Sequence, residues 1–236
     1  MLEYLKLPDA TIQHMISHTE NDFPNESCGI VVDNQYIKFH NDALDPEQSF
    51  VINNIQFYKY YEQKQIQYLV HSHNNKDHAS SLDQIKADDL ELPSIILNIR
   101  NGKFSELFYL RVPTPLIGRP FHFGCWDCLQ LVYDYYKEKF KVKLPNPPRD
   151  IKFLDSDHKF FEQYLQELTQ LKIVEIDDLQ EDDILFYMSA GRIIHVGIYL
   201  DDDRCMHHWY NRTSAYFPLS YKNQALKFAM RLNDGN

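Results

Sequence analysis

Two clusters of residues have the types and spacing to do chemistry. In LVHSHNNKDHASSLDQ, residues 69–84, His71 and His73 stand two apart and Asp83 follows ten residues later. A spacing of two on a strand turns both imidazoles to one face. A carboxylate on the first turn of the next helix can swing back to the same point. Two histidines and one carboxylate form a catalytic zinc set with a fourth position left for water. The alternative is a polar loop rich in histidine by chance, and His78 in the same loop is expected to be a plain exposed side chain. The second cluster begins in FGCWDCLQLVYDYY, residues 123–136. Asp127-Cys128 opens a helix, whose N-terminus favours a thiolate. A nucleophilic thiol needs a base. His195 interrupts the apolar run RIIHVGIYL, and His207 lies twelve residues on, past the turn Asp201-Asp202-Asp203. Antiparallel pairing of those two runs would bring the rings together, one as base and one to orient it. A register slip of one residue would exchange His207 for His208. Cys125-x-x-Cys128 also admits a redox pair or half a zinc knuckle. A knuckle needs a second pair, and Cys205 is the sole other thiol nearby. No βαβ pattern precedes the pair, as a thioredoxin-like role would require. Cys125 is therefore expected in the core at the helix start and Cys205 packed in a strand.

The elements that carry these residues divide at VPTPLIGRP, residues 112–120, where three prolines and a glycine read as a linker. Before it, Asp9 caps a helix over 10–20, CGIVVDNQYIKF is a hairpin about Asp33-Asn34, and 57–65 is helical. Residues 67–71 form a short strand. Ser80 or Ser81 caps a helix through Leu90. SIILNIR and ELFYLRV flank Asn101-Gly102, a strong hairpin signal. After it, Trp126–Phe140 has apolar residues at helical spacing, LPNPPRD is a loop, and 157–171 is a second helix. The strand-like runs ILFYM, RIIHVGIYL and RCMHHWY follow, joined by SAG and DDD. The fold class is α+β, with an α/β first domain over 1–112 and a second domain of helices and antiparallel sheet over 118–236.

The chain has 236 residues, of which 44% are hydrophobic and 25% charged, enough for one large domain or two small ones. A formal net charge of −10 argues against nucleic acid and anionic membrane as partners. No apolar run approaches the roughly 20 residues of a membrane helix, so no membrane insertion is expected. MLEYLKLPDATIQHM has no basic start followed by an apolar stretch, so no signal peptide is expected and folding in a cytoplasm is. In a reducing compartment the four cysteines are free thiols.

Two resemblances sharpen these expectations. His71-Ser72-His73 followed by Ser80-Ser81-Leu82-Asp83, with Glu26-Ser27-Cys28-Gly29 upstream before a strand, resembles the JAMM (JAB/MPN) metallopeptidases over roughly residues 1–110. That implies Zn2+ held by His71, His73 and Asp83, with Glu26 moving a proton from the attacking water to the leaving amine. Ser80 would donate to the developing oxyanion. Six residues separate His73 from Ser80 where that pattern usually has seven, and Asn74 stands where proline is common. Asp127-Cys128-Leu129-Gln130-Leu131-Val132, then Asp183-Ile184-Leu185 and His195-Val196-Gly197-Ile198-Tyr199-Leu200, resemble the papain-like NlpC-type cysteine peptidases over residues 118–215. That implies Cys128 as nucleophile, His195 as base and His207 as the third polar residue. Many of those peptidases carry a tyrosine upstream of the nucleophile, where this chain has Phe121 and Phe123. The order of the two domains, with GRPFHFGCWDCLQLVYDYY at the junction, resembles the tail-assembly protein K family of lambda-like siphophages. It implies two hydrolytic sites, peptidoglycan peptide stems as one substrate, other phage tail-tip proteins as partners, and a place in the host cytoplasm during assembly and at the virion tail tip. The alternatives are a non-catalytic tail-tip scaffold and a bacterial cytosolic isopeptidase.

Overall fold

Hairpin turns set much of the strand order in both halves of the chain. Asp33-Asn34 and Asn101-Gly102 each place two successive residues at positive φ, 49° and 61° in the first and 50° and 76° in the second. Ala190-Gly191 and Asp202-Asp203 do the same. Backbone of this kind twists in the same sense as the paired strands it joins. The structure, a computed structural model, describes residues 7–75, 79–111, 115–149, 160–221 and 223–233. His78 and residues 112–114 of the expected linker lie outside them. The chain divides into two units, Met1–Pro113 and Thr114–Asn236.

The first unit runs α1 (Asp9–Asp22), β1 (Cys28–Val32), β2 (Gln35–Phe39), α2 (Ile55–Glu62), β3 (Tyr68–Asn74), α3 (Ser81–Asp89), β4 (Ser94–Arg100) and β5 (Lys103–Leu110). Its sheet has the order β2-β1-β3-β4-β5. β3 and β4 are parallel, with α3 as their crossover, and the other neighbours are antiparallel. Alternation along the strands makes two apolar faces. Val31, Val70, Ile95 and Leu97 meet Met15 of α1. Cys28, Ile30 and Leu69 form the other face with Ile52 and Ile66, bordered by Phe57 and Leu90. At α1, Pro8 takes the N-cap position and no side chain caps it, so Asp9 is the first helical residue and not the cap expected for it.

The second unit runs α4 (Cys128–Phe140), α5 (Phe160–Glu167), β6 (Leu171–Val174), β7 (Ile184–Ser189), β8 (Arg192–Tyr199), β9 (Arg204–His207), β10 (Ala215–Pro218) and β11 (Leu226–Leu232). The sheet order is β10-β9-β8-β7-β11-β6, with every neighbouring pair antiparallel. Leu129, Val132 and Tyr136 of α4 join Phe186, Val196 and Ile198 in one core. Tyr187, Cys205, Trp209 and Ala229 form a second. Three strands, β6, β10 and β11, add to the three expected. The last residues of the expected helix over 157–171 are instead a turn and the start of β6. No helix among the described residues is long and apolar enough to cross a membrane.

Candidate active sites

In the first unit, strand register gathers the residues. His71 and His73 are inward neighbours on β3, each buried. Asp83 lies on the first turn of α3 behind a capping box. Ser80 Oγ accepts from the Asp83 backbone N–H at 3.3 Å, while the Ser80 backbone N–H and hydroxyl donate to Asp83 Oδ2 at 2.7 and 2.6 Å. That bracing aims the carboxylate at the imidazoles. His71 Nε2 lies 3.1 Å from Asp83 Oδ1 and 3.2 Å from His73 Nε2, and His73 Nε2 lies 3.3 Å from Asp83 Oδ2. Ligand atoms about 2.0–2.1 Å from a tetrahedral zinc stand about 3.3 Å apart, so the donor set fits that ion in both chemistry and spacing. Burial pushes the Asp83 carboxyl up. Hydrogen bonds and charge from His71 and His73 outweigh it and hold the group well below the usual carboxylate range.

Glu26 is buried one residue beyond the backbone bonds that tie β1 to β3. Ser72 N–H donates to the Ser27 carbonyl at 3.0 Å, and Ser27 N–H donates to Ser72 Oγ at 2.7 Å. Cys28 pairs with His71. Continuing that register two residues sets Glu26 across from His73, on the face that carries both imidazoles. Ser80's hydroxyl is engaged with Asp83, so its visible work is capping and bracing. Sequence reasoning missed two residues here. Phe50 stacks on His71, ring centroids 4.5 Å apart. Asn98, paired with His73 across β3 and β4, is buried with both polar amide atoms lacking partners among the described residues. A lone amide inside the apolar run SIILNIR was the signal for it.

In the second unit, Cys128 is the first residue of α4. Asp127 caps the helix, its Oδ1 accepting from Gln130 N–H at 2.9 Å. The half-buried thiol accepts a hydrogen bond from the backbone N–H of Val196, the residue after His195. Burial pushes this thiol up to about 12 and the Asp127 carboxylate adds to the rise, against lowering by the Val196 N–H and Arg149. This corrects the expectation that the helix N-terminus leaves a low thiol pKa. To act as a nucleophile, a thiol so raised would have to give its proton to a base. His195 and His207 meet as expected, Nε2 to Nδ1 at 3.0 Å. His207 Nε2 lies 3.2 Å from the Tyr187 hydroxyl, and the Trp209 ring stacks on His195 at 3.6 Å between centroids. Gly197 pairs with His207. A Cβ on Gly197 would stand 2.2 Å from His207 Nδ1, so glycine makes room for the ring. His208 does not replace His207. It is buried against the edge of Phe121, where burial pushes its imidazole down to about 4. Cys125 and Cys205 are buried free thiols. Tyr187 and Trp209 escaped sequence reasoning because strand pairing alone brings them to the histidines.

An Arg149–Asp127 ion pair fixes the cap. Arg149 Nε and Nη2 donate to Asp127 Oδ2 and Oδ1 at 2.7 and 2.8 Å, and both side chains are buried. Asn146 accepts from Arg149 at 2.7 Å and donates to Gln130 at 3.0 Å, and Gln130 donates to Asp134 at 2.9 Å. Asp134 in turn pairs with Arg119. No sequence pattern announced Arg149, which comes from the expected loop LPNPPRD.

Residues 118–227 match the NlpC/P60 family. Over 215 residues the chain is 24% identical to the tail tip assembly protein K of Escherichia phage N15, covering 88% of each. Among solved structures, the NlpC/p60 domain of the peptidoglycan hydrolase SagA is 17% identical with a TM-score of 0.35, over 50% of this chain and 90% of that one. An NLP/P60-family protein from Staphylococcus aureus subsp. aureus Mu50 is 26% identical with a TM-score of 0.35, over 50% of this chain and 37% of that one. The similarity to protein K runs through both units and the NlpC/P60 match falls on the unit that holds Cys128, His195 and His207, so the chain resembles a phage tail tip assembly protein K along most of its length, with an NlpC/P60 match in its second half.

Proposed function

We propose that the second unit is a cysteine endopeptidase that cuts peptide stems of peptidoglycan during tail-tip assembly or at the virion tail tip. The observation that carries this is the 3.0 Å contact of His195 with His207, together with a thiol seated at the next backbone N–H of the same strand. His195 Nδ1 takes the Cys128 proton as sulfur attacks the carbonyl. The S–C bond forms, the C–N bond breaks, and the same proton goes to the leaving amine. Water then hydrolyses the thioester, with His195 again as base, and the thiol is restored. His207 holds the ring of His195 and shares its charge. Replacing Cys128 with alanine should abolish release of fragments from purified muropeptides, read by mass spectrometry. Undiminished release sinks the assignment.

The first unit we assign to zinc-dependent hydrolysis of an amide or isopeptide bond. His71, His73 and Asp83 would hold the ion. Bound zinc lowers the pKa of water toward ~7 and polarises a carbonyl. Glu26 moves the proton from water to the leaving amine, and Ser80 keeps Asp83 aimed. Purified wild-type chain should carry one zinc per molecule by elemental analysis, and His71→Ala should carry almost none. Equal metal content in the two would remove this assignment. The proposal includes production in the host cytoplasm and contact with other tail-tip proteins, supported by the similarity to protein K.

A further inference from the structure

The zinc-ligand set shares its wall with a cavity that neither proposed reaction uses. Beside His71 and Asp83 lies a pocket of about 260 Å³ whose other walls include Phe50, Ile52, Phe57, Leu69 and Leu90. Pockets for whole small molecules run to about 300–1,000 Å³, while a dry apolar cavity of about 150 Å³ holds benzene. The volume suits one large apolar side chain. Because His71 and Asp83 supply part of the same wall, whatever enters sits next to the bond to be cut. The surface continues the apolar character outward. α2 buries none of its residues, and Ile55 and Tyr58 on either side of Phe57 are exposed, as is Leu82 at the pocket. Exposed apolar groups around a mostly apolar pocket mark a binding surface.

Resting on the reading of this site as a zinc hydrolase, we infer that its substrate is a peptide segment with a leucine- or phenylalanine-sized side chain flanking the scissile bond, bound in the cavity walled by Phe50, Ile52, Phe57 and Leu69. Phe57 sets the depth of that pocket and is a specificity residue. A stem peptide built around a γ-glutamyl or diaminopimelate unit offers no such group, so the two sites of the chain take different substrates.

The test uses the full chain with Cys128→Ala, zinc-loaded and zinc-stripped, and a library of acetylated decapeptide amides randomised at one position. Cleavage is read by mass spectrometry, and binding of a leucine peptide and its alanine and glutamine analogues by NMR titration. Leucine or phenylalanine should be favoured over alanine or glutamine by about tenfold or more, with the cut beside that residue. Phe57→Ala, which removes none of the proposed zinc ligands, should shift the preference toward tryptophan at unchanged zinc content. Ile52→Ala serves as a second deepening variant if the first does not fold. Equal handling of leucine, alanine and glutamine, including binding of none, overturns the inference. Preferential binding without cleavage keeps the apolar side-chain pocket but overturns both the hydrolase reading and the placing of that side chain beside a scissile bond. Cleavage without preference keeps the hydrolase reading and overturns the inference.

Discussion

Gly197 decides whether His207 can be where it is. The glycine faces the imidazole across the β8–β9 pair, and an added Cβ would lie 2.2 Å from Nδ1 and 2.4 Å from Cε1. The ring is itself buried, between Tyr187 and Phe217, so it cannot give way into solvent. Gly197→Ala should therefore push His207 off His195. Overpacking of this kind costs about 1–3 kcal/mol of stability, and misplacing an orienting group by an ångström costs roughly 10²-fold in rate. Muropeptide turnover and thermal unfolding of the variant check both figures. A variant with wild-type turnover would show that the ring tolerates displacement. The pattern His195-Val196-Gly197 already held this information, because a glycine inside a strand signals close approach of another group. Which group approaches depends on the strand register and became visible only in three dimensions.

The N-terminus of α4 depends on a residue far along the chain. Asp127 caps the helix, but its charge is buried and survives there through Arg149, 22 residues later. Burial pushes the Asp127 carboxyl up, and the guanidinium with its hydrogen bonds more than offsets this, so the group is held below the usual range. A lowered carboxylate contributes stability above its unfolded value of about 3.9 and loses it as pH falls through the folded value. Removing the cation should reverse the sign, since protonation would then relieve an unpaired buried charge. Arg149→Met is expected to lose about 3–5 kcal/mol at pH 7, and the gap to wild type should narrow at pH 4. Urea unfolding at the two pH values measures it. A gap that widens in acid would contradict the pairing described. The helix itself was legible from its apolar spacing. The arginine was not, because an ion pair between a cap and an irregular segment leaves no periodic trace.

Two units with separate cores carry separate candidate sites, and the sequence spoke unevenly about them. His71, His73 and Asp83 were legible because strand alternation and a capping serine act over short stretches. The pairing of His195 with His207 was legible because one tight turn separates their strands. β11 carries a readable alternation of Leu226, Phe228, Met230 and Leu232. β6 does not, since LKIV is only four residues long just past a helix and a short turn, and β10 is four residues ending in proline. Apolar walls such as Phe50 and Phe57 come from elements that look unremarkable alone and matter through what they surround. One atom group ties several of these features together. Asp83 completes the cap of α3 with Ser80 while it reaches the imidazoles of β3, and α3 is the crossover that lets β4 lie parallel to β3. An ion held by Asp83 would therefore also be tied, through α3, to the joint between two central strands. Zinc, if bound there, would brace the β3–α3–β4 crossover as well as the proposed site, so removing it should lower the stability of the first unit.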